Sequence, residues 1–544
     1  MRSPATPLRS PIASARSRLF STRTPLRRNL SPRPEQHTPL SPNIPQIDYV
    51  GETREVLSFT GRVVKILLLT GVTIVAVGVA GYEGLHLYVE NGPMAVPSRG
   101  DDEWGWEDEV QGWTGGPKGG TDPRLGIKGR HAVRAAWMCQ SWGAGDANGA
   151  IGRQGFFEPD YMAVRGMIGE DPTVIRPDRG YEMAGEFINV ALEAARMKGL
   201  VFPPTLSVLR ENGPPTTVSS TVQGDSAVVD LLLLKAGALE RVGSMESLNQ
   251  AKELYEQIVT SIHSDSSPIY EARIMRLATK VGTLCARMGQ GDEALAWWGW
   301  GLQRVGMEIP SRVDEIKTEA RAWFGKAPEP QQPTQPTIPT SLPPPVLRAT
   351  VSLLISASTH LATRSHVPAA AKLQTTALTL LPAPTPIQRP TSSTAGATLH
   401  HTWLEQRSSL LTLHLASTTY ALGRPGLNLA TVASNRADNV LAALTPLAPV
   451  YAKAYHQAAH NLRRDALLTA AEAAYTRAIL LERQPAPPLD TVAELFERAM
   501  FLNAMETGKT DTGAMGAEWQ KYYQSFSRVK EKLGQSVETK SKLD

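Results

Sequence analysis

The chain has 544 residues, 42% hydrophobic, 20% charged and only 6% aromatic, with 44 Gly and 41 Pro. That length allows roughly two to four domains, and the Gly and Pro content points to ordered parts joined by irregular ones. Residues 1–65 hold 11 Lys/Arg against 4 Asp/Glu, so the body is slightly acidic although the whole chain is formally +4; this argues against nucleic acid as a partner, and two cysteines argue against a disulfide framework or a structural zinc site.

Residues 1–50 read as a mitochondrial targeting segment without stable structure. Eight arginines (Arg2, Arg9, Arg16, Arg18, Arg23, Arg27, Arg28 and Arg33) precede the first acid, Glu35. An Arg-rich, Ser-rich, acid-free start is the composition of a transit peptide. A transmembrane helix is predicted over 63–85, around the 17 uncharged residues Ile66–Tyr82. About 20 apolar residues cross the hydrocarbon of a bilayer. Arg54, Arg62 and Lys65 precede this run; Glu83, Glu90, Asp101, Asp102 and Glu103 follow it. Positive flanks stay on the side of synthesis or of the matrix. The expected topology is therefore single-pass in the mitochondrial inner membrane, with the C-terminal body in the intermembrane space.

Residues 86–130 form an irregular juxtamembrane segment rich in Trp, Gly and acid. Trp104, Trp106 and Trp113 either sit at the membrane interface, where Trp is enriched, or fold back on the body. The sequence leaves both open. A helical region is predicted over 131–325, with helices near 131–142, 181–199, 228–242, 246–262, 268–288, 291–305 and 311–324. Apolar residues recur there at three-to-four spacing. The proline-rich stretch 326–345 reads as a linker. A second helical region follows over 346–533, with helices at 346–363, 367–381, 402–422, 426–444, 449–462, 464–482, 489–505 and 516–533. Residues 534–544 read as a disordered tail. No set of alternating strands competes, so the fold class is all-α.

A loose repeat runs through both helical regions. Gly282 lies 12 residues before Ala294, and Trp298 four after it. Ser358 precedes Ala370 by the same step, with Ala377 and Pro382 following. Ala459 precedes Ala471, with Tyr475 and Ala478 following; Ala251 and Tyr255 form a partial copy. Small residues at such steps let two helices cross closely, and the bulky residue fills the space beside them. The pattern resembles the tetratricopeptide repeat (TPR), a helix pair of about 34 residues. The early tryptophan of that motif is absent here, and Ala251 to Ala294 spans 43 residues rather than 34. The resemblance implies a TPR-like helical-repeat solenoid behind a single N-terminal transmembrane helix.

Catalytic and cofactor motifs are missing. No His-Glu-x-x-His, Gly-x-Ser-x-Gly or Gly-x-Gly-x-x-Gly occurs, and neither an enzyme nor a cofactor is expected. His456 and His460 have i, i+4 spacing but no evident third ligand for a metal. Cys139 and Cys285 lie in apolar helical contexts, where an inert thiol is usual. Arg273, Arg276, Lys280 and Arg287 share one helix face. In TPR proteins the first helix of each pair lines a peptide groove, so this stripe reads either as a candidate site for acidic peptides or as a solvated charged face. Arg276 and Lys280 look like the basic pair with which some TPR domains grip a C-terminal carboxylate, but the Lys and Asn partners of that clamp are missing from the preceding helices.

The layout of transit segment, one span and degenerate repeats resembles the fungal TPR adaptors of the mitochondrial inner-membrane i-AAA protease. That resemblance implies a scaffold that binds unfolded clients and delivers them to the AAA protease complex. An assembly factor for a respiratory-chain complex, or a structural membrane tether, would share the same layout.

Overall fold

The computed structural model describes residues 49–95, 104–106, 109, 113–115, 119–142, 179–204, 214, 224–261, 267–308, 342–382, 390–391, 393–445, 447–452, 455–507 and 517–541. Residues 1–48 of the targeting segment, the predicted helix 311–324 and most of the proline-rich linker lie outside these. Among the described residues there are 14 α-helices and no strand.

Helix α1 spans Tyr49–Asn91 and is longer than the predicted 63–85. The chain divides into two units inside it, between Val77 and Gly78. In the first unit Leu67, Leu68, Leu69, Val72 and Val75 are each roughly two-thirds exposed. Over Leu57–Asn91 the helix is long and apolar enough to cross a membrane, with none of its most apolar window buried. A soluble protein rarely leaves so large an apolar surface in water.

The second unit is an array of helices. They are α2 (Gly126–Trp142), α3 (Arg179–Met197), α4 (Ser226–Val242), α5 (Met245–Ser261), α6 (Pro268–Arg287) and α7 (Gly291–Gln303). After the undescribed 309–341 come α8 (Pro344–Thr363), α9 (Val367–Leu380), α10 (Ala395–Ala421), α11 (Leu427–Leu444), α12 (His456–Glu482), α13 (Leu489–Thr507) and α14 (Ala517–Ser541). From α2 onward each helix packs on the next. Alternate helices touch as well: α6 meets α8, α8 meets α10, and α10 meets α12.

Ion pairs bridge alternate helices on both sides of the stack. Asp230 of α4 meets Arg273 of α6, and Asp465 of α12 meets Arg407 of α10. Lys252 of α5 meets Glu293 of α7 at 2.8 Å, and Arg498 of α13 meets Asp438 of α11. Two rows of alternate helices thus run side by side, and the core is the seam between them. Such quasi-one-dimensional packing draws its stability from neighbour interfaces rather than from one central core.

The close crossings are built from small residues. Gly282 on α6 faces Trp298 on α7, and a Cβ at Gly282 would lie 2.5 Å from the indole Nε1. Only glycine leaves room there. Ala294 and Trp298 are buried, as are Ala251 and Tyr255 on α5, and Ala370 and Ala377 on α9. Ser358 on α8 is also buried, whereas Pro382 is exposed beyond the end of α9.

Several predicted boundaries move. Ala459, Ala471, Tyr475 and Ala478 all lie on the single helix α12, so this copy of the repeat is not a helix pair. Residues 462–464 hold no Gly or Pro that would break the backbone. Pro344 and Pro345 open α8 rather than end a linker, because the first helical turn tolerates a missing N–H. Helix α14 continues to Ser541, so 534–541 belongs to it and not to a tail. At the other end, 86–91 completes α1 and 126–130 begins α2, which shortens the irregular juxtamembrane segment at both ends.

Candidate peptide-binding face

Arg273, Arg276, Lys280 and Arg287 lie along one side of α6, turned toward α4. Arg273 Nη2 donates to Asp230 Oδ1 at 3.3 Å. Lys280 Nζ donates to Glu240 Oε2 at 2.9 Å, and Arg287 Nη1 lies 4.0 Å from Glu240 Oε1. Arg276 Nε donates to the Ala272 carbonyl at 3.1 Å. Burial pushes the Asp230 carboxyl up to about 6, with Arg273 opposing the shift. Tyr255 of α5 donates to Glu240 across 3.3 Å, and burial drives its phenol well above its ordinary range. The stripe is therefore a seam between alternate helices. Its charge is already partly met from within the chain, which weakens its pull on an acidic peptide.

A second constellation sits at the N-terminal ends of α6, α8 and α10, where the juxtamembrane segment lies against the array. Gly105, at φ +63°, turns the chain between Trp104 and Trp106, and its position packs on Pro345 and Ile269. Trp106 is buried, and its Nε1 donates to the Gly396 carbonyl at 3.1 Å. Arg348 of α8 is 1% exposed. Its guanidinium lies 3.9 Å from the centre of the Trp106 ring, donates to Glu109 Oε1 at 2.5 Å, and donates to the Trp104 carbonyl at 2.6 Å. Its remaining arm meets His400 Nδ1 of α10 at 3.1 Å. Trp113 is partly buried against the same core. Of the two placements that the sequence leaves open for Trp104, Trp106 and Trp113, the structure takes the one on the body.

Buried arginine needs a full set of acceptors, and this site supplies a carboxylate, a carbonyl, an imidazole nitrogen and an aromatic face. His400 must be neutral to accept. Burial pushes it down to about 3, and the Arg348 and His401 charges push the same way. Its ordinary value is 6.5. As pH falls below that value, the unfolded chain gains a proton that the folded chain refuses, so stability falls on acidification. The expected slope from His400 alone is about 1.4 kcal/mol per pH unit at its steepest. Thermal unfolding of the wild type and His400→Asn between pH 4 and pH 7 checks this. The asparagine carbonyl can replace the imidazole acceptor without titrating, so the wild type should lose stability relative to the variant as pH falls. Parallel curves would show that His400 does not titrate against folding.

A third cluster fastens the end of α1 to α2. Glu90 accepts from Arg134 Nε at 2.6 Å, from Arg130 Nη2 at 3.1 Å, and from the Thr121 hydroxyl and amide at 2.9 and 3.0 Å. His131 pairs with Glu83 at 3.1 Å, and its ring stacks on Tyr82. Arg134 is 4% exposed. Glu83 and Glu90, acidic flanks in the sequence, are both met by bases from α2.

No group of three or more His, Cys, Asp or Glu side chains suited to a metal ion occurs among the described residues. The His456 and His460 rings lie 5.1 Å apart. Cys139 and Cys285 are buried free thiols, and burial raises the Cys139 thiol. No protein-family model matches the chain, and no curated protein matches it. Among the described residues, the class that the structure defines is an all-helical array with one helix long and apolar enough to cross a membrane.

Proposed function

We propose that this chain is a membrane-anchored scaffold of the TPR type. In this reading it binds client proteins and delivers them to the i-AAA protease of the mitochondrial inner membrane, with its body in the intermembrane space. The observation that carries the reading is the pairing of an exposed apolar helix with a stack of neighbour-packed helices. The α6–α7 pair, with Gly282 under Trp298, is its most TPR-like unit. Such a stack presents one long face for extended partners, and a tether raises their effective concentration near a membrane-bound protease. The adaptor does no chemistry in this scheme.

The test pairs affinity purification from digitonin-solubilised mitochondria with protease access to a C-terminal tag in mitoplasts. Recovery of the AAA protease, with the tag cut only after the outer membrane is opened, is the expected result. Respiratory-complex subunits without the protease would replace the adaptor by an assembly factor. A tag protected in mitoplasts would put the body in the matrix and overturn the topology.

A further inference from the structure

The Trp104–Glu109 segment lies on the array as a guest in a pocket that it does not build. The walls come from α6, α8 and α10, far along the chain: Ile269, Pro345, Arg348, Gly396 and His400. They hold two indoles in different ways. A Cβ at Gly396 would lie 2.7 Å from Trp104 Cδ1, so only glycine leaves that slot open, and the Tyr455 hydroxyl stands 3.1 Å from the same point. The ring centres of Trp104 and Trp106 lie 5.3 and 6.4 Å from that of His400. The Arg348 guanidinium covers the Trp106 ring, and the Gly396 carbonyl accepts from its Nε1. Arg348 also donates to the Trp104 carbonyl and to the Glu109 carboxylate.

The guest is neither helix nor strand at Trp104–Trp106. Residues 101–109 hold six acids, two tryptophans, one glycine and no base. The grip therefore reads a local signature. Two indoles flank Gly105, a residue at positive φ, and a carboxylate follows three residues after the second indole. A segment of another chain with the same signature would meet the same walls. A buried arginine–carboxylate pair adds little stability over an apolar pair of equal volume. What it adds here is selection, because an occupant without a carboxylate would leave Arg348 buried without its counter-ion.

We propose that this pocket is a docking site for acidic, tryptophan-bearing segments of a partner protein, and that Trp104–Glu109 occupies it in cis. The inference goes beyond the adaptor reading and does not depend on it. A tethered segment competes at an effective concentration on the order of millimolar. The free chain should therefore bind a partner segment weakly until its own copy is weakened.

The experiment uses the full chain in detergent and a fluorescein-labelled synthetic peptide that copies residues 101–113, followed by anisotropy. The variant Trp106→Ala/Glu109→Gln should bind this peptide about tenfold more tightly than the wild type, since the cis competitor is weakened. A peptide carrying the same two changes should lose that gain, and so should the variant once Gly396→Ala closes the Trp104 slot. Equal affinity of wild type and variant would overturn the proposal. Binding that ignores the changes in the peptide would overturn recognition of the signature, and binding that ignores Gly396→Ala would overturn the assignment of the slot. Circular dichroism reports whether the double variant keeps its helices. If it does not, Glu109→Gln alone takes its place, with a gain of several-fold expected and no gain overturning the proposal. None of these outcomes turns on whether a protease co-purifies, so the adaptor reading stands or falls separately.

Discussion

Arg348→Ala should destabilise the array by about 3–5 kcal/mol, the range for removing one partner of a buried ion pair. The guanidinium is nearly inaccessible and serves four partners at once. Its loss leaves the Glu109 carboxylate without its base and the Trp106 ring over a void. Replacement by methionine should cost less, because the thioether fills the volume and contacts the indole. Thermal or denaturant unfolding in detergent ranks the two variants. A double-mutant cycle with Trp106→Ala isolates their coupling, which should be of order 1–3 kcal/mol for residues in contact. Additive losses would mean that the Trp104–Glu109 segment lies on the array without holding it.

Glu90→Ala is the second change with a large expected effect. It leaves Arg134, 5% exposed at its side chain, and Arg130 facing each other with no carboxylate between them. The penalty should again be about 3–5 kcal/mol, while Glu90→Gln should recover part of it by accepting one bond. The readout is hydrogen exchange of the α2 amides in detergent or nanodiscs. Faster exchange confined to α2 and the end of α1 is expected. Unchanged protection would show that apolar contacts alone hold the two helices together.

These two sites mark where the sequence was hardest to read. The α6–α7 pair was legible because its information is local. Gly282, Ala294 and Trp298 fall within 17 residues, and a small-to-large crossing follows from their spacing. The basic stripe on α6 was legible as a face, yet Asp230 and Glu240 come from a helix two places earlier. No local pattern announces that alternate helices touch. Arg348 reads in sequence as an ordinary helical arginine near a proline-rich stretch. Its partners Trp104 and Glu109 lie more than 200 residues away. The sequence reading puts two helices, 449–462 and 464–482, where the structure has the single helix α12. The backbone had no reason to stop between them.

The seating of Trp104 and Trp106 also orders the events of folding. Closing a loop of about 240 residues in an unfolded chain costs roughly 5 kcal/mol by the logarithmic law for chain entropy. The docking surface itself does not exist until Ile269, Pro345, Arg348 and Gly396 are brought together by three separate helices. Neighbour contacts along the array form at short sequence separation and are kinetically favoured. Once the array has assembled, the remaining search is confined to the short stretch between Asn91 and Trp104, and most of the entropy penalty is gone. The segment that follows α1 is thus made early on the ribosome and seated last, after the ribosome has delivered residues some 300 positions further on.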